Sequence, residues 1–140
     1  MSTVVDIVDT TTRDGNQSLW SATGLTTQDI LAIAPTMDRV GFRALDFTSS
    51  THMAVSVRFH REDPWERLRL VSEAMPNTLL NLITTGMRFI SWVPAGEDVM
   101  RLSFRLAVRN GIRRFQIADP SNDPASLVRL ARMIREEGAN

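Results

Sequence analysis

Chemistry-bearing side chains crowd into one short stretch near the amino end of this sequence. Asp9, Arg13, Asp14 and Gln17 follow one another in a polar segment that also carries Gly15. A carboxylate at Asp14 can act as a hard ligand for a divalent cation. Arg13 beside it places a fixed positive charge next to that carboxylate, and Gln17 lies in the same loop. Gly15 permits a tight turn that would bring the Arg13 and Asp14 side chains inward. Asp9 is read as support for the loop. Two more carboxylates, Asp46 and Asp119, fall where later strands are expected to end. His52 and His60 lie too far apart in sequence to act as a close ligand pair, and His52, which follows a strand, is the better placed. Taken alone, Arg-Asp-Gly is a common turn and reads first as an exposed one with a surface ion pair.

These side chains need elements to position them. The β-branched run Val4, Val5, Ile7 and Val8 reads as a buried strand, and the polar loop starts at its carboxyl end. In parallel α/β folds that end is where ligands bind. A helix is expected over 26–40, capped by Thr26 or Thr27, with Asp29 in its first turn and Gly41 as its stop. Pro35 inside it removes a hydrogen bond to Leu31. Strand two is expected over 42–47, followed by the polar loop Thr48–His52. Asp63-Pro64 opens a helix to Met75 with Leu68 and Val71 inward and Arg67 and Arg69 free to point out. Strand three is expected over 78–83, a helix from 96–98 to Asn110-Gly111, strand four over 112–118, and a last helix from Asp123-Pro124 to Gly138.

Four strand-helix units with right-handed crossovers predict a parallel sheet with helices outside, in a single domain. A closed barrel of eight such units usually takes about 250 residues, and this chain has 140. The expectation is therefore a (βα)4 half of a TIM barrel whose first and last strands are open edges, completed by another chain. An open doubly wound sheet is the alternative. Sixteen basic and sixteen acidic residues cancel, so no net field points to nucleic acid or an anionic membrane as partner. The sequence holds no cysteine, no targeting segment and no run long enough to span a membrane, which makes a cytoplasmic protein the default.

The longer string Asp9-Thr-Thr-Thr-Arg13-Asp14-Gly15-Asn-Gln17-Ser18-Leu-Trp20 resembles the first-strand signature of the carboxyltransferase domains of pyruvate carboxylase, oxaloacetate decarboxylase and transcarboxylase, within the metal-dependent aldolase and lyase barrels. Glu62-Asp-Pro-Trp-Glu-Arg67, Ala74-Met-Pro-Asn-Thr78, Asn110-Gly111 and Asp119-Pro-Ser-Asn-Asp123 extend the resemblance over almost the whole chain. It implies a divalent metal (Zn, Mn or Co) with Asp14 as one ligand, and Arg13 and Gln17 as the residues that hold substrate and enolate. It implies that the remaining ligands, a carbamylated lysine and a His-x-His pair, come from the later half of the barrel. This sequence has no lysine and no His-x-His. A second polypeptide bearing them, or self-association, is thus an expected partner, with a small acyl or keto substrate and a biotin carrier beside it. Where the family carries an arginine for the keto-acid carboxylate this chain has Thr85, and Trp92 replaces a tyrosine. Asp46, Thr85, Trp92 and Asp119 are the candidate substrate-binding positions. Ser49-Ser50-Thr51-His52 stands where the family has glycines. The reading is one part of a split carboxyltransferase or decarboxylase. A non-catalytic scaffold that stabilises a partner barrel, and half of an aldolase-type lyase or acyl-CoA condensing enzyme, are the alternatives.

Overall fold

A computed structural model describes residues 5–17, 24–89 and 93–139. Its strands are β1 (Val8–Asp9), β2 (Ala44–Ser49), β3 (Leu79–Thr84) and β4 (Ile112–Ile117). All pair in parallel, in the spatial order β1-β2-β3-β4. That order contains no reversal of direction, so it lacks the switch point of a doubly wound sheet and matches successive staves of a barrel. The helices are α1 (Thr27–Asp38), α2 (Ser50–Val55), α3 (Pro64–Ala74), α4 (Glu97–Arg109) and α5 (Pro124–Glu136). α1 packs on α3, α3 on α4 and α4 on α5, giving an outer ring. Among the described residues no helix is long and apolar enough to cross a membrane.

The core lies between sheet and helices. Leu45, Leu80, Leu82 and Ile112 meet Ile30, Leu68, Met100, Phe104 and Leu130 there, all essentially without solvent contact. Trp65 stacks on Phe89 at 5.9 Å, and Phe89, Phe104 and Phe115 continue edge to face. The opposite face of the sheet, which would line a barrel, is polar. Asp46 pairs in register with Asn81 and Asn81 with Arg114; Ser49, Ile83 and Gln116 form the next row towards the carboxyl ends.

Local capping is as the sequence indicates. Thr26 and Asp29 form a reciprocal capping box on α1, and Asp63 and Asp123 each precede a proline at the helix start. Gly111 closes α4 at φ +108°, and a Cβ there would meet the Cβ and Oγ of Ser72 at 2.2 Å. Overpacking together with left-handed strain makes Gly111→Ala cost on the order of 2–4 kcal/mol. Urea denaturation of the variant checks this, and an unchanged midpoint would contradict it.

The boundaries depart from expectation in physically informative ways. Strand one pairs only at Val8–Asp9, and Val5 and Ile7 are 77 % and 60 % exposed. The expected buried strand is bare because it is an edge of the sheet, with no strand on its far side among the described residues; Val4 lies outside the described residues. Strand two runs two residues later than expected and strand three one later. The expected loop after strand two is instead α2, started by Ser49, whose Oγ accepts from the His52 N–H at 3.2 Å, and it leads into a π-helical turn over Ser56–His60. α1 runs unbroken through Pro35. Arg67 does not point out but is buried. It donates to Glu62 and to the Leu25 carbonyl, each at 3.0 Å, and lies over the Phe47 ring. Glu62 in turn accepts from the Thr27 N–H at 3.0 Å, capping α1 from a distance. Burial pushes the Glu62 carboxyl up, but the Thr27 and Arg67 bonds outweigh it and hold it below the ordinary range.

Candidate active site

The loop after β1 is a π-helical turn over Thr11–Gly15, closed by the N–H groups of Arg13, Asp14 and Gly15, which all donate to the Thr10 carbonyl. Asp9 supports it by accepting from the Thr11 N–H and hydroxyl, each at 3.0 Å. Gly15 has ordinary backbone geometry and an uncrowded Cα, so no left-handed turn is involved. The turn sends its two charged side chains different ways. Arg13 lies inward, and Asp14 is 62 % exposed, with only the Arg13 Nη1, 3.2 Å from its Oδ1, as described contact. The expectation that both turn inward holds for Arg13 alone. Asn16, which no pattern in the sequence singles out, is buried and accepts from the Leu25 N–H at 2.8 Å, pinning the segment that presents Gln17.

Arg13 Nε donates to Asp46 Oδ2 at 2.5 Å, and Asn81 Nδ2 donates to Asp46 Oδ1 at 2.9 Å. Asp46 is 3 % exposed and each of its oxygens accepts one of these bonds, so it supports Arg13 from within the sheet. A register shift between Asp46 and Thr48 breaks the β2–β3 ladder at this point. Such irregularities beside a site re-aim side chains. Asn81 was not anticipated; its signal was a lone amide inside the apolar strand Leu79-Leu-Asn-Leu-Ile83.

A concavity of about 380 Å³ opens at the carboxyl ends of the strands, and Arg13, Gln17, Ser49, Thr85 and Gln116 are among its lining residues. Asp119 lies apart, in a neighbouring depression with Gly86 and Ser121, where its Oδ1 accepts from the Ser121 N–H and hydroxyl. Trp92, Ser18 and Trp20 lie outside the described residues. His52 is buried, with Nδ1 2.9 Å from the Ser49 Oγ. Burial, reinforced by Arg67 and Arg13, pushes its imidazole down to about 3, so it stays neutral and orders the cleft wall. His60 ends the π-helical turn after α2. Among the described residues, three buried side-chain polar atoms lack a hydrogen-bond partner, and they flank this site: Thr12 Oγ1, Ser50 Oγ and Asn81 Oδ1.

A catalytic metal needs about three protein ligands. Among the described residues no three His, Cys, Asp or Glu side chains come together to hold one. Asp14 offers a single exposed carboxylate, so the described residues of this chain do not by themselves fit a metal ion.

No protein-family model matches the sequence. Relatives and solved structures do. The chain is 36 % identical over 132 residues to the 2-oxoglutarate carboxylase large subunit of Hydrogenobacter thermophilus, covering 94 % of this chain and 20 % of that protein. It is 35 % identical over 136 residues to a pyruvate carboxylase subunit of Methanocaldococcus jannaschii, covering 97 % and 24 %. The carboxyl transferase domain of Rhizobium etli pyruvate carboxylase, solved with pyruvate and biocytin, superposes with a TM-score of 0.86 at 33 % identity over 96 % of this chain and 23 % of that one. The chain is a homologue of part of that carboxyltransferase domain. It spans 20–24 % of the length of these two relatives, and its four parallel strands are part of the carboxyltransferase TIM barrel. The cleft lies where such barrels place their chemistry, at the carboxyl ends of the strands.

Proposed function

We propose that this chain supplies the Arg13–Asp14–Gln17 wall of a carboxyltransferase or decarboxylase whose barrel is closed by a further strand-helix segment. The observation that carries this reading is the convergence of Arg13 and Gln17 on one cleft at the strand ends, beside the exposed Asp14. Moving a carboxyl group onto or off a carbon next to a carbonyl passes through an enolate. The electron pair of the breaking C–C bond comes to rest on the carbonyl oxygen. Arg13 through its Nη2, which makes no described bond, and Gln17 through its amide would donate to that oxygen. Asp14 would be one ligand of a divalent metal (Zn, Mn or Co), the remaining ligands coming from a lysine and a His-x-His pair on the closing segment. Such an ion, when bound, acts as a Lewis acid on an oxygen.

The reading also covers substrate and carrier. Among the described residues that line the cleft, Arg13 is the single cation, and it is already paired to Asp46. Thr85 cannot give a second carboxylate the bidentate clamp of an arginine. The non-reacting end of the substrate is therefore a neutral acyl or keto group rather than a second carboxylate. Biotin on a separate carrier is the expected carboxyl donor or acceptor. The closing segment is a second polypeptide, with self-association as the alternative, and the complex works in the cytoplasm. The bare Val5 and Ile7 on the edge and the orphaned Ser50 and Thr12 hydroxyls support an incomplete barrel.

Affinity purification of the tagged chain tests this. Co-purification of a polypeptide carrying a lysine and His-x-His, with carboxyl exchange only in the assembled fraction, is the expected result. Carboxyl exchange by the chain alone would contradict it.

A further inference from the structure

We propose that Asp46 and Asn81 form a positioning relay that aims the Arg13 guanidinium into the cleft. The proposal rests on the reading of that cleft as the place where an oxyanion is held. Three successive structural units contribute one residue each: Arg13 from the turn after β1, Asp46 from β2 and Asn81 from β3, the last two in register. Both Asp46 and Asn81 are more than nine-tenths buried, whereas Arg13 reaches the cleft.

A free carboxylate normally takes an arginine with both oxygens, which occupies a whole edge of the fork. Here Asn81 Nδ2 holds Asp46 Oδ1 at 2.9 Å, so Arg13 receives only Oδ2, through Nε at 2.5 Å. The Nη1 group meets the exposed Asp14 at 3.2 Å, and Nη2 is left for a ligand. Asn81 thus prevents Asp46 from capturing the whole guanidinium. It does so at a cost, since its Oδ1 is a buried acceptor without a donor. Rotating the amide by half a turn would set that oxygen against the Asp46 carboxylate, which is worse. An orphaned acceptor is tolerated because the donor end of the amide is required where it is.

Two consequences follow for the cleft. Arg13, whose long side chain has many rotamers, is held in one of them before any ligand arrives. Its charge is also offset by Asp46, so the cleft presents a directed donor with little net positive field. It should therefore select by geometry rather than attract any anion.

The test reads the relay and the anion site separately. Nitrogen–proton NMR of arginine Nε–H groups in the full chain should show one slowly exchanging signal, identified by its loss in Arg13→Lys. It should vanish in Asp46→Ala, shift in Asn81→Leu, where Asp46 Oδ1 loses its donor and is free to take the guanidinium as well, and return in Asn81→Gln. Oxalate, a small planar dianion, is titrated calorimetrically into the closed assembly. Asn81→Leu should weaken it by about 3–10-fold and Asp46→Ala by about 10-fold or more, in line with loss of orientation. An Nε–H signal indifferent to Asn81→Leu and Asp46→Ala would overturn the relay, as would oxalate affinity that neither variant changes. If the wild-type assembly ignores oxalate while the signal still depends on both residues, the relay stands and the oxyanion reading falls.

Discussion

Asp14→Asn in the assembled enzyme is expected to lower carboxyl transfer by more than about 100-fold, because even groups that merely support a metal ligand cost about 10–100-fold when lost. It is expected to do so with almost no change in folding. Asp14 is 62 % exposed, and its described bond is to Arg13 Nη1 across a surface turn. Exposed pairs of this kind are worth about 0–1 kcal/mol, so the midpoint of urea denaturation should barely move. Loss of activity without loss of stability marks a residue present for chemistry. Steady-state rates and denaturation curves on one preparation measure both. Full activity in the variant would favour the reading of the chain as a scaffold for a partner barrel. Arg13 gives a different pattern, since its Nε bond to the buried Asp46 is part of the fold.

His52 is expected to make the fold acid-labile. Its imidazole belongs near 6.5 when exposed and is pushed down to about 3 by burial and by Arg67 and Arg13. Below about pH 6.5 the unfolded chain takes up a proton that the folded chain refuses. Stability is therefore complete above that value and declines as the pH falls towards 3. The slope is about 1.4 kcal/mol per pH unit, so at pH 5 about 2 kcal/mol has gone. His52→Asn should be weaker at neutral pH, because it gives up packing and the Ser49 contact at 2.9 Å. Its stability should nonetheless vary less with acidification, and the two curves should converge. Urea midpoints between pH 7.5 and 4.5 check this; parallel curves would show that His52 does not titrate as described.

Much of this molecule could be read from its residues, and the misses share one cause. Helix ends were legible because their signals are local: Thr26 with Asp29, Asp63 with Pro64 and Asp123 with Pro124 all cap as their types imply. Four parallel units were legible from alternating apolar runs. Burial that depends on distant partners was not. Val5 and Ile7 read as core by composition, yet among the described residues no strand lies on their far side and both are exposed. Arg67 read as a surface residue by charge, yet Glu62 and the Leu25 carbonyl satisfy it inside. Within the site, Arg13, Gln17 and Thr85 do converge on one cleft. Asp46 reads as a substrate contact by its place at a strand end; that Arg13 and Asn81 bind it from neighbouring units follows from adjacency across the sheet, which is invisible to spacing along a chain. Asn81 escaped notice for the same reason.

In the proposed assembly the metal-binding centre is shared between this chain and the segment that closes its barrel. Metal content of the purified chain and of the closed assembly, measured side by side after dialysis against a weak chelator, decides whether it is. About one divalent ion per assembly is expected, lost in Asp14→Asn, and none retained by the chain alone. Equal, tightly held metal in the chain alone would contradict it.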